Sequence, residues 1–181
     1  MQITKASDAV GVVVEDVDVA TLSDDQFAEL RSQFFDHGAL FFKDQKLSPE
    51  DHIAFAERWN DIDVNRFFTP VEGYPKIAKV LKEPDQKLNI GGGWHTDHSY
   101  DEIPAMGSIL YALEIPPSGG DTLFAGMQAA YEALDDDMKA RIEDLNALHG
   151  NAHIFGKDSA YREEVGGRYK NAENAGQEAI H

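Results

Sequence analysis

His95 and Asp97 stand two residues apart in the run Gly91-Gly92-Gly93-Trp94-His95-Thr96-Asp97-His98-Ser99-Tyr100. On a strand, residues i and i+2 point to one face, so an imidazole and a carboxylate would converge there. Such a pair supplies two of the three ligands of a two-His-one-carboxylate centre, which leaves open positions on a divalent iron. Oxygen chemistry needs those positions, because a co-substrate and O2 must both reach the metal. By itself the pair weighs little, since about 0.7 such pairs arise by chance in a chain of this His and Asp content. The plain alternative is a surface His beside a solvated Asp. His98 competes with His95, but on a strand it would face the opposite side, which makes His95 the expected ligand. The three glycines are expected to let the chain approach the site closely or to form a mobile edge of it, and Trp94 to pack in the core.

The sequence has no cysteine, which removes thiol nucleophiles, disulfides and thiolate-held zinc or iron–sulfur clusters. Any metal must then rest on His, Asp or Glu. Acidic residues outnumber basic ones 33 to 16, a formal charge of −17, so nucleic acid and anionic lipid are poor partners. Hydrophobic residues make up 42%, enough for a sizeable core, and 181 residues fit one domain over 1–181. No window approaches 18 consecutive apolar residues, and the N-terminus lacks the basic start and apolar run of a secretory leader. A cytoplasmic protein with no membrane partner is the expectation.

The elements that must position these residues follow from patterning. Valine-rich Val10 to Val19 reads as a strand. Ser23 and Gln26 have capping-box spacing ahead of a helix to Asp36, with Phe27, Leu30, Arg31 and Phe34 on one face and Gly38 ending it. Ala39 to Phe42 is a short strand. Ser48-Pro49 opens a second helix to Asn60, whose core face would be Ile53, Ala56 and Trp59. Strands are expected over 77–81, 108–115 and 122–125, the last two separated by the turn Pro116-Pro117-Ser118-Gly119-Gly120. A helical region runs from Met127 to Leu148 with a break at the acidic residues Asp135 to Asp137. After Gly150 the chain turns polar, and Asp158 to His181 reads as a poorly ordered excursion.

Several segments taken together resemble the taurine dioxygenase-like family of Fe(II)/2-oxoglutarate-dependent dioxygenases. Gly38-Ala39-Leu40-Phe41-Phe42-Lys43-Asp44-Gln45 is similar to the family's early strand and turn, and Leu47 to Ala56 to the helix after it. Trp94-His95-Thr96-Asp97 is similar to its metal motif, Pro116 to Ala125 to the segment that follows, and Ala129 to Leu134 to the next helix. The likeness covers nearly the whole chain, and Trp-His-Thr-Asp followed at this distance by Gly120-Asp121-Thr122-Leu123-Phe124 is a specific combination.

The resemblance implies a mostly β fold with flanking helices, a double-stranded β-helix or jelly roll. It implies that His95 and Asp97 hold Fe(II) and that Thr122 hydrogen-bonds a carboxylate of 2-oxoglutarate, the co-substrate. The implied reaction hydroxylates a C–H bond of a small organic substrate with O2 while 2-oxoglutarate yields succinate and CO2. The family also uses a distal second His and, after it, an Arg that pairs with 2-oxoglutarate. No position here matches either. Glu178-Ala179-Ile180-His181 instead resembles a segment lying between the two metal motifs, and His149 and His153 read as surface or supporting residues. The jelly roll is therefore expected to be incomplete at the C-terminus, the N-terminal two-thirds of the family's domain, with an unpaired edge that invites self-association into a homo-oligomer. The chain alone is expected to be deficient in turnover.

In the family's taurine enzyme a His, a Tyr and an Asn contact the substrate; the corresponding positions here are Asn65, Phe68 and Gly91. Loss of three polar groups argues for a carboxylate- or sulfonate-type substrate other than taurine. Arg66 offers a cation for an anionic substrate, with a solvated surface Arg as the equal alternative. A non-catalytic jelly-roll module for binding or assembly, or an inactive fragment of the enzyme, is the competing reading.

Overall fold

Ser23 caps a helix as its spacing predicts. In the computed structural model, which describes residues 1–84, 89, 91–156, 158–159 and 175–181, its hydroxyl accepts from the Gln26 amide at 3.2 Å. The Gln26 side chain accepts in return from the Ser23 amide at 3.0 Å. Helix α1 then runs Asp24–His37, with Asp24 and Asp25 placed favourably against the dipole in its first turn. Gly38 ends it at φ +75°, a left-handed conformation that costs glycine little, with its amide bonded to the Phe34 carbonyl. Ser48 and Asp51 form the same reciprocal box ahead of α2, Pro49–Glu57. This helix stops short of Asn60. Arg58 and Trp59 donate to carbonyls only three residues back, Phe55 and Ala56, so the last turn tightens and the α ladder closes.

The chain divides into two compact units, Met1–Trp59 with Leu110–Leu145 and Asn60–Ile109 with Asn146–His181. In the first, strands β1 (Gln2–Lys5), β2 (Val12–Glu15) and β3 (Leu40–Phe42) form one sheet in that order. The β1–β2 pair is antiparallel, and β2–β3 is parallel with α1 as the crossover. The expected strand from Val10 to Val19 is thus only four residues long. Asp16 turns the chain with φ +54°, and Val19–Thr21 form a 3-10 turn capped by Asp18. Val12, Val14, Val19, Leu22, Leu30 and Phe55 make the buried core. Phe55, not Ile53, Ala56 or Trp59, is the buried residue of α2; those three are half-buried. Trp59 instead meets Phe27, Phe34 and Phe55 edge-on around the core's rim.

The three acids at 135–137 explain the break in the third helical region. The Asp135 carboxylate accepts from the Met138 amide, so it ends the connection from α3 (Met127–Glu132) and caps α4 (Asp136–Ile142). Residues 108–115 and 122–125, expected as strands, form no ladder among the described residues, and Leu110, Leu113, Ile115 and Leu123 are exposed. Alternation marks which side chains share a face; only a paired neighbour makes a strand. For the same reason helical residues outnumber strand residues among those described, against the expectation of a mostly β chain.

The second unit holds two small antiparallel ladders. Strands β4 (Pro70–Val71) and β5 (Tyr74–Ala78) pair Pro70 with Ala78, so the expected strand at 77–81 lies earlier in the chain. Strands β6 (Leu148–Gly150) and β7 (Glu178–Ile180) flank the short helix α5 (Ala152–Phe155). The end of the expected polar excursion is therefore ordered β-structure with Ala179 buried, while 160–174 lie outside the described residues. Phe67, fully buried, stacks on Phe155 at 3.9 Å and meets Tyr100 edge-on. No helix among the described residues is long and apolar enough to cross a membrane.

Candidate metal centre

The His95–Asp97 pair converges, although not by the route expected. Residues 94–97 belong to no strand. His95 is aimed instead by its own loop: its Nδ1 lies 2.8 Å from the Gly93 carbonyl oxygen. A carbonyl only accepts, so Nδ1 carries a proton, and in the neutral ring the lone pair is then on Nε2. That nitrogen lies 3.3 Å from Asp97 Oδ1. Two ligand atoms each about 2.1 Å from one first-row divalent ion, at right angles, sit about 3.0 Å apart. The separation therefore fits two neighbouring ligands of one metal. The other Asp97 oxygen, Oδ2, accepts from the Ser108 hydroxyl at 3.0 Å, which leaves Oδ1 as the atom turned to His95 Nε2. Both side chains are exposed to roughly half, so a metal and a further ligand have access.

Gly91 supports the imidazole by having no side chain. Its φ is +70°, and a Cβ there would meet His95 Cε1 at 3.2 Å and Nε2 at 3.7 Å. Trp94, expected in the core, is 73% exposed: its neighbours in this loop are glycines and polar groups that offer no apolar wall.

His98 belongs to a second cluster. Its backbone is left-handed, φ +57°, and its Nδ1 lies 2.9 Å from Asp101 Oδ2 and 3.3 Å from Asp63 Oδ2. Arg66 donates to the other Asp101 oxygen at 2.5 Å. Arg66 is thus an ion-pair partner within the protein and not a solvated surface residue. Burial pushes the Asp101 carboxyl up, but the bonds from His98 and Arg66 outweigh it and hold the group below the usual carboxylate value. Half-buried Tyr100 beside it is pushed up to about 12, first by burial and then by the negative charge of Asp101. His181 Nε2 bonds the Asp101 carbonyl at 3.2 Å, and the half-buried His149 ring lies 5.6 Å from that of His181.

The Asn65 side-chain oxygen accepts from the Phe67 and Phe68 amides, both at 2.9 Å. It is a loop cap in this structure, with that oxygen already committed. Phe68 is half-buried against Phe67. Thr122 lies in the first unit, exposed in an irregular stretch. Sequence reasoning missed Ser108 and the pairing of Asp63, Arg66 and Asp101 with the metal loop. A hydroxyl eleven residues from its carboxylate, or an Arg thirty-five from its Asp, follows no periodic rule.

A loop that presents an imidazole lone pair and a carboxylate oxygen to one point defines a protein with a candidate divalent-metal centre. The family model for taurine catabolism dioxygenases, TauD and TfdA, matches residues 2–177, and the chain belongs to that family. It is 36% identical over 142 residues to an (S)-phenoxypropionate/alpha-ketoglutarate-dioxygenase of Sphingobium herbicidovorans, covering 77% of this chain and 50% of that protein. With the alpha-ketoglutarate-dependent 2,4-dichlorophenoxyacetate dioxygenase of Cupriavidus pinatubonensis it shares 31% identity over 178 residues, covering 83% of this chain and 59% of the relative. The crystal structure of AAD-2 in complex with Mn(II) and N-oxalylglycine matches with a TM-score of 0.71 and 28% identity, over 100% of this chain and 63% of that one. The chain spans about half the length of the curated relatives it matches.

Proposed function

We propose that this protein serves an Fe(II)- and 2-oxoglutarate-dependent dioxygenase that hydroxylates a C–H bond of a small organic acid, yielding succinate and CO2. The observation that carries the reading is the 3.3 Å approach of His95 Nε2 to Asp97 Oδ1, with the imidazole proton committed to the Gly93 carbonyl. Family membership and the named activities of the relatives support it. In this reading His95 and Asp97 are two of the metal's protein ligands. Bound iron, with 2-oxoglutarate and O2, supplies the oxidising power. His95 contributes a lone pair of fixed direction, and Ser108 keeps one Asp97 oxygen occupied so that the other faces the metal. The Thr122 hydroxyl donates to a 2-oxoglutarate carboxylate, and Asn65, Phe68 and Gly91 border the substrate.

The domain in this reading is the N-terminal part of a jelly roll, acting in the cytoplasm on free small molecules. A carboxylate substrate is favoured over taurine: the taurine-contacting positions are Asn65, Phe68 and Gly91 here, and two of the relatives are named for phenoxy-carboxylates. The test has two parts. Mn(II) binding by this chain, read from the electron paramagnetic resonance of the free ion, should be lost in His95→Ala and Asp97→Ala. Succinate formation by the protein that carries this chain, with Fe(II), ascorbate, 2-oxoglutarate and a panel of phenoxy acids, sulfonates and taurine, should fall to background in the same variants. Unchanged Mn(II) binding in both variants would refute the metal assignment. Taurine as the preferred substrate would refute the substrate class.

A further inference from the structure

The second cluster gives the metal loop an anchor. Asp97 is followed directly by His98, whose φ of +57° is uncommon for a residue with a side chain, although His enters it more readily than most. Two bonds from Asp101 hold it, and a third fixes Asp101. Its carbonyl accepts from the Asp101 amide at 3.0 Å, closing a turn over 98–101. Its Nδ1 meets Asp101 Oδ2 at 2.9 Å, so main chain and side chain close the same turn. Arg66, thirty-five residues earlier, grips the other oxygen of that carboxylate at 2.5 Å and ties the turn to the loop of 60–69. His98 and Asp101 stand one and four residues after Asp97, and the cluster shares no donor atom with the His95–Asp97 pair.

We propose that the Arg66–Asp101–His98 network is a positioning device for the metal ligand Asp97, acting by fixing the backbone that leaves it. The inference rests on the metal reading of His95 and Asp97 and deepens it. A metal within the cluster itself, on Asp63, His98 and Asp101, is the other use for such residues, since their ligand atoms lie within 4.8 Å of one another. Two features oppose it. The His98 nitrogen facing both carboxylates must carry a proton, because its partners accept, and the Arg66 cation already occupies Asp101. All three residues of the network are half-buried, where an ion pair is screened less than on an open surface and can hold a geometry. Partners that orient a metal ligand from behind typically change metal affinity by 10–100-fold when removed.

The experiment is an Mn(II) titration of the full chain by electron paramagnetic resonance, far below the melting transition, with circular dichroism to verify folding. Asp101→Asn and His98→Ala should each weaken Mn(II) binding about tenfold. His98→Asn should recover most of that loss, because Asn tolerates the left-handed backbone and its amide can still donate to Asp101. A purely structural role would lower the melting temperature in these variants and leave the Mn(II) affinity alone, which overturns the proposal. Loss of binding in Asp101→Asn with wild-type binding in His95→Ala and Asp97→Ala would put the ion in the second cluster and overturn it as well. If His95→Ala abolishes binding while a folded Asp101→Asn binds normally, the metal reading stands and the positioning role fails. Should the variants not fold, hydrogen exchange in the unsubstituted chain decides. By reciprocity, saturating Mn(II) must slow exchange of the Asp101 amide, and an unchanged rate overturns the proposal.

Discussion

Replacing Gly91 with Ala tests the imidazole geometry with a single methyl group. The added carbon would lie 3.2 Å from His95 Cε1 and 3.7 Å from Nε2. Carbon atoms rest about 3.5–4.0 Å apart, so the ring must retreat by a few tenths of an ångström. The backbone adds a second cost, because φ of +70° burdens a residue with a Cβ by about 1–2 kcal/mol. These costs act on different observables. The backbone term lowers loop stability, while the ring's retreat turns Nε2 away from Asp97 and lengthens its 2.8 Å Nδ1 bond to Gly93. Mn(II) affinity should fall by roughly tenfold, the lower range for disturbing a ligand's supporting contacts. Gly93→Ala is the matched control: its φ is not left-handed, a Cβ there meets nothing within 4 Å, and its carbonyl is retained. Calorimetric Mn(II) titration of the two variants reads the difference. Equal affinities in Gly91→Ala and Gly93→Ala would refute the argument that the glycine makes room for the ring.

Leu30→Ala should destabilise the first unit by about 2–5 kcal/mol in urea unfolding, since Leu30 is fully buried between α1 and the sheet; a loss under about 1 kcal/mol would mean the site collapses freely. Ser23→Ala should cost about 1 kcal/mol by the same measurement, because the Gln26 amide loses the hydroxyl it donates to while the Ser23 backbone amide keeps its bond to the Gln26 side chain, and Ser23→Asp should restore most of it. Tyr100 should ionise near pH 12, above the ordinary tyrosine value of 10.0, in an ultraviolet phenolate titration, and Tyr100→Phe should remove that step. Its raised value favours the neutral phenol in the folded state. The stability it contributes is therefore complete below the ordinary value of 10.0 and is lost as the pH rises through about 12.

What was legible in the sequence is what short-range chemistry decides. The Ser23–Gln26 and Ser48–Pro49 signals name helix starts because capping is settled within four residues, and the acids at 135–137 mark a break because one of them caps the next helix. Period-2 patterning fared worse. Residues 108–115 alternate as a strand would, yet a ladder depends on a partner that local sequence does not specify. The His95–Asp97 pair shows both sides. His95 and Asp97 were identifiable by type and spacing, and they do converge. The strand geometry invoked for that convergence was mistaken, because Gly93 and the left-handed His98 bend the loop instead. Arg66, Asp101 and Ser108 came from sequence distances at which no pattern speaks.

Asn151 fastens the neck of a long stretch of chain. It is 1% exposed; its side-chain oxygen accepts from the Gly176 amide at 2.7 Å and its nitrogen donates to Gln177 Oε1 at 2.5 Å, twenty-six residues away. The β6–β7 ladder begins immediately beside this clasp. Closing a loop costs entropy that grows only slowly with length, about 0.6 kcal/mol per doubling. By that measure the twenty-five-residue separation of Asn151 and Gly176 adds little to the cost of bringing β6 and β7 together beyond what a shorter connection would. The clasp thereby protects the register of the ladder that brings His181 to the carbonyl of Asp101.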